Sequence, residues 1–164
     1  MFKLWAILSL FTVCTALSGC VAGTDEKANS RPPSSANSAN ANAAAPKTNV
    51  EELGLLITVP YEAEDVVWKE SPSTKKLVAV LLFSKETAGR IVTDAEAYGK
   101  GQPVTLSVET WFPDELIAQS EMSGDAAIRG TAYPANAFFS ERYKTGRITR
   151  IEGGDQFVLE VSTQ

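Results

Sequence analysis

Ser73-Thr74-Lys75-Lys76 and Lys144-Thr145-Gly146 are the stretches whose residue types and spacing come nearest to nucleophilic chemistry. They match S-x-x-K and K-T-G, two of the three signatures around an acylating serine with a neighbouring lysine. That chemistry needs the serine at a helix N-terminus with its lysine one turn on. Ser73 instead stands in a loop running into a strongly apolar stretch. The third signature, S-x-N, occurs only as Ser35-Ala36-Asn37, in the wrong order. The match is a coincidence of short patterns. Carboxylates form two groups, Glu62, Glu64 and Asp65, then Glu109, Asp114 and Glu115. Acid/base work would need two of them to converge in one pocket with separated pKa values. Their types and positions predict a solvated acidic surface instead. Glu152-Gly153-Gly154-Asp155 lacks the ligand spacing of a calcium loop and suits a hairpin turn. The chain has no histidine, and both cysteines lie in its first twenty residues. Zinc, haem, Cys-His and Ser-His-Asp sites therefore fail on inventory beyond them. No catalytic residue, metal or cofactor is assigned.

The remaining reactive side chain is Cys20. Ahead of it, Lys3 and the α-amino group supply a positive start, residues 4–17 are mostly apolar, and small Ser18 and Gly19 follow. That layout is a secretory signal peptide. The run is too short and too interrupted for a transmembrane helix, which needs about 20 apolar residues. Leu17-Ser18-Gly19-Cys20 resembles the lipobox of bacterial lipoproteins: a branched aliphatic residue, two small residues, then cysteine. The resemblance implies a diacylglyceryl group on the Cys20 thiol, cleavage just before it, and fatty acylation such as palmitate on the new amine. It also implies a membrane anchor, since two or three chains on one residue meet the two-signal requirement for stable attachment. Val21 rather than Asp after Cys20 implies, in a bacterium with two membranes, sorting to the outer membrane. Cys14 falls in the removed leader, so the mature chain has no disulfide partner for Cys20.

Three segments follow: residues 1–19 as signal peptide, 20–50 as lipidated N-terminus and tether, and 51–164 as one domain. The tether is rich in Ser, Asn, Ala and Pro, with almost nothing to offset ordering entropy, which predicts disorder. The domain carries 11 Lys and Arg against 18 Asp and Glu, a net charge of −7. That balance argues against nucleic acid as a partner and against lying flat on an anionic bilayer.

Within the domain, Leu55-Leu56-Ile57-Thr58-Val59 reads as a strand stopped by Pro60, and Val66-Val67-Trp68 as a weaker one. Residues 77–83 are seven apolar positions without alternation, hence a strand buried on both faces and central in its sheet. Ser84 is placed to cap a long helix with Ala88, Ile91, Val92, Ala95 and Tyr98 on one stripe, ended by Gly99. Glu86–Arg90 and Arg90–Asp94 are i,i+4 pairs on its other face. Residues 104–110 alternate as a half-exposed strand, Pro113-Asp114-Glu115 opens a short second helix, and residues 127–133 suggest another strand. A final hairpin pairs 147–151 with 157–162, with Phe157, Leu159 and Val161 inward and Ile151 opposite Phe157 across a bulged turn. The expected fold is α+β: a mainly antiparallel sheet of about five to seven strands, one long helix packed on it and short connecting helices.

Trp111, Phe112, Tyr133, Phe138, Phe139 and Tyr143 flank prolines, turns and loops, which makes them the candidate partner-binding residues. Aromatics at such places also plug sheet ends as core. Arg142, Lys144, Arg147 and Arg150 add basic character, but Arg147 and Arg150 fall on opposite strand faces and cannot share a surface. The functional expectation is a membrane-anchored cell-envelope lipoprotein with a small non-enzymatic binding or structural domain. Its expected partners are the membrane, through lipid on Cys20, and an envelope protein or glycan. The alternatives are a carboxylate-dependent hydrolase acting on an envelope polymer and a small-ligand carrier.

Overall fold

A computed structural model describes residues 45–163 apart from position 125. The expected signal peptide, Cys20 and most of the expected tether lie outside the described residues. In chain order the elements are α1 (Val50–Gly54), β1 (Asp65–Ser71), β2 (Lys76–Leu82), α2 (Lys85–Glu96) and β3 (Gln102–Ser107). There follow α3 (Asp114–Ser123), β4 (Ala127–Pro134), a 3-10 turn (Asn136–Phe138), β5 (Thr145–Ile151) and β6 (Gln156–Ser162). The strands make one sheet of order β1-β2-β6-β5-β4-β3, antiparallel at every step. The fold is α+β.

The unbroken apolar run becomes β2, inside the sheet between β1 and β6. Because side chains alternate along a strand, its two faces feed two cores. Leu77, Ala79 and Leu81 join Trp68, Phe157, Leu159, Val161 and Ile148 on one face. Val80 joins Val158, Ile151, Ile128 and Leu106 on the other. α2 covers the first face through Ala88 and Ile91, and Ser84 caps it, its hydroxyl accepting from the Thr87 amide at 3.2 Å. α3 covers part of the second through Leu116, and Gly124, in the left-handed region at φ 78°, closes it. Helix is thus shared between two elements of 12 and 10 residues on opposite faces, rather than concentrated in one.

Several local expectations change. Residues 55–59 are not a strand. Asn49 caps α1 by accepting from the Glu52 amide at 2.8 Å, and the chain then turns so that Leu53 and Ile57, one helical turn apart, are the residues buried. Leu55 is left 86% exposed. The apolar run there was a helix exit with one side buried, not a pleated strand. α2 ends at Glu96, so Tyr98 leaves the stripe and is exposed. Asp94 accepts from the Tyr61 hydroxyl at 2.8 Å, and Arg90 lies over that ring. Pro113 is the cap of α3 rather than its first residue. In the final hairpin Arg150, not Ile151, faces Phe157. An even loop, residues 152–155, keeps Phe157 on the first face and sends Ile151 to the second.

Folded structure also starts earlier than residue 51. Lys47 exchanges two 2.8 Å backbone hydrogen bonds with Trp68 on the outer edge of β1, and the Trp68 indole N–H donates to the Asn49 carbonyl at 3.0 Å.

Candidate functional site

α3 has 10 residues, about 15 Å of helix, while six strands span about 24 Å. One short helix cannot roof such a face, and the side away from it is where the second face opens. The registers define what lies there. Val67, Val80, Val158 and Thr149 form one cross-strand row, and Val80, Val158 and Thr149 are buried. The next row is Lys69, Val78, Glu160 and Arg147, and the outermost is Ser71, Lys76, Ser162 and Thr145. So the face grades across β1, β2, β6 and β5 from a buried aliphatic row to two rows that are mostly charged or hydroxylic.

These outer rows form a trough. One part, about 260 Å³, is lined by Lys69, Ser71, Thr74, Lys76, Glu109 and Trp111. An adjoining part, about 380 Å³, shares Lys76 and Val78 and adds Gly146, Arg147, Glu160 and Ser162. Trp111 overhangs it from the connection between β3 and α3. The half-buried indole meets Phe112 edge to face at 4.8 Å and donates its N–H to a Glu109 carboxylate oxygen at 2.7 Å. Phe112 is the buried root that seats this arrangement. Arg147 pairs with Glu160 at 2.5 Å.

The six candidate aromatics therefore do not share a surface. Phe112, Phe138 and Tyr143 are core residues, because the turns that carry them fold back over the ends of the sheet. The Tyr143 hydroxyl donates to Glu70 at 2.8 Å, and Arg142 pairs with the same oxygen. Burial, then the hydrogen bond to Glu70, pushes the Tyr143 phenol up to about 12. Tyr133 and Phe139 are half-buried against the first core. Tyr133 also lines an open concavity of about 490 Å³ with Lys85, Arg150 and Asp155, where Arg150 and Asp155 are already paired at 2.7 Å. Of the six, only Trp111 looks into the trough.

The other candidate chemistry stays apart. Glu62, Glu64 and Asp65 stand at the start of β1, about 20 Å along the strand from Ser71 and the trough. Ser73 lies in the turn between β1 and β2 beside Ser71, not on a helix. Among the described residues no group of three ligating side chains could hold a metal ion, and no helix is long and apolar enough to cross a membrane. The basic residues 142, 147 and 150 are each paired with a different acid, as opposite strand faces require. Sequence reasoning missed Lys69 and Lys76. The signal was present in their place two residues from the half-buried Val67 and Val78, but only the register puts them in neighbouring rows.

No protein-family model matches the chain, and neither a curated protein nor a solved structure is found similar to it.

Proposed function

We propose that this chain is a membrane-anchored lipoprotein of the bacterial cell envelope whose domain binds another envelope component and catalyses no reaction. The observation that carries the binding role is the trough: an open, polar strip of sheet beside a well-packed core, overhung by an indole fixed at its N–H. A sheet face with no such role gains stability from further cover, because each apolar Å² removed from water contributes about 25 cal/mol. The anchor rests on the likeness of Leu17-Ser18-Gly19-Cys20 to a lipobox, with the outer membrane as the destination where two membranes exist. A hydrolase would need an acid free to donate and a second free to attack. The two trough carboxylates, Glu109 and Glu160, are instead engaged by Trp111 and Arg147.

Sedimentation of the full-length protein in detergent with lipid-stripped envelope fragments tests the binding role. The wild type should pellet with the fragments, and a Lys69→Glu/Lys76→Glu variant should stay in the supernatant at an unchanged melting temperature. Substitutions at Tyr98 or Met122, exposed on other elements, should not matter. A Lys69→Glu/Lys76→Glu protein that still pellets with the fragments would take the trough out of the function.

A further inference from the structure

The domain is acidic, yet four of its eight cations without an ion pair among the described residues lie at one end of the sheet. Lys69, Lys75, Lys76 and Lys144 have no ion-pair partner among the described residues. Lys69 and Lys76, one row apart, line the trough itself, while Lys75 and Lys144 stand beside it, their backbones bonded to Thr163 at 3.1 Å and to Ser162 at 3.2 Å. Two of the acids at this end are held in ion pairs, and a third, Glu109, accepts only from a neutral indole N–H. Glu160 is held by Arg147, and Glu70 by Arg142 and Tyr143.

We propose that the trough is a subsite for an anionic glycan, an extended oligosaccharide bearing carboxylates. This deepens the binding role proposed above and rests on it. Four properties of the surface converge on that class. Four strands give the strip a length of about 14 Å, enough for a short run of sugars lying across the sheet. Hydroxyls of Ser71, Thr74 and Ser162 and the carboxylates of Glu109 and Glu160 offer acceptors and donors along its length, as a polyhydroxylated ligand requires. Trp111 presents a large amphipathic wall at low entropic cost, with Val78 as the apolar floor. Lys69 and Lys76 supply charge-assisted hydrogen bonds to carboxylates at the indole end. A lipid headgroup layer fits less well, since these lysines line a recess rather than a projecting surface.

Calorimetric titration of the full-length protein in neutral detergent with tetragalacturonate tests this, with maltotetraose as the uncharged comparison and phosphatidylglycerol vesicles as the lipid one. Tetragalacturonate should bind with an affinity that falls as salt rises, and maltotetraose should bind at least tenfold more weakly. Lys69→Gln/Lys76→Gln should weaken tetragalacturonate binding at least tenfold without moving the melting temperature. Lys76→Gln alone, at an exposed strand end, should weaken it measurably if the double variant folds poorly. The inference is overturned by undetectable tetragalacturonate binding, by equal affinity for maltotetraose, by insensitivity to both lysine variants, or by binding to the vesicles alone. Undetectable tetragalacturonate binding with envelope fragments still retained would sink only the glycan class. Loss of both would sink the binding role itself.

Discussion

Thr149 shows how the open face is paid for at the level of one side chain. It is fully buried in the row between Val158 and Ala132, and its hydroxyl has no hydrogen-bond partner among the described residues. An unsatisfied buried hydroxyl costs about 1–3 kcal/mol. Thr149→Val keeps the branched shape and removes the orphan, so urea unfolding should show a gain of about 1 kcal/mol; a loss would mean that the hydroxyl has a partner. Tyr61 and Tyr143 act in the opposite sense at high pH. Burial and a hydrogen bond to a carboxylate push each phenol from 10.0 up to about 12. A pKa raised by folding adds stability below the unfolded value that disappears as pH rises through the folded one. The urea midpoint should therefore fall between pH 10 and 12, and less steeply in Tyr143→Phe; a flat profile over that window would contradict the assignment. At this scale the sequence was least legible. All six candidate aromatics stood beside turns, but whether a turn folds inward, as at Tyr143, or holds its ring over a trough, as at Trp111, depends on contacts some 70 residues away in the case of Glu70.

Among the elements, what was legible is what local periodicity controls. The β2 run and the α2 stripe from Ala88 to Ala95, with its Ser84 cap, follow from spacing alone and stand where expected. Residues 55–59 and the hairpin register did not, because both depend on which face a single residue buries. An apolar pentapeptide suits a strand or a helix exit equally, and only Leu53 and Ile57 docking together decides it. A hairpin shifted by one residue exchanges all its faces, and the even loop here sends Ile151 and Phe157 to separate cores. Gly146 carries the register at the other end of that hairpin. Its φ is 154°, and a β-carbon would collide with the Glu160 carbonyl and with Val161. Gly146→Ala should cost about 1–3 kcal/mol by chemical denaturation, since the obstruction includes backbone. A neutral result would mean that β5 and β6 can separate there without loss.

For the molecule as a whole, the pattern of strands and helices led to the right fold class, and composition to an incomplete picture of charge. An α+β domain with two cores is what an alternating, strand-rich chain of this length builds. Net charge, being a sum, hid the clustering of Lys69, Lys75, Lys76 and Lys144 at one end of a sheet whose order no local pattern reveals. The folded unit reaches back to Lys47, which pairs with Trp68 and reaches Glu52 at 2.7 Å. That edge contact leaves fewer free residues between Cys20 and the domain than a boundary at residue 51 would. The display of this domain from a membrane is the claim on which the functional reading turns, and intact mass analysis of the mature N-terminus tests it most directly. The account predicts a chain beginning at Cys20 that carries a thioether-linked diacylglyceryl group. An unmodified Cys20, or a leader still attached, would contradict it.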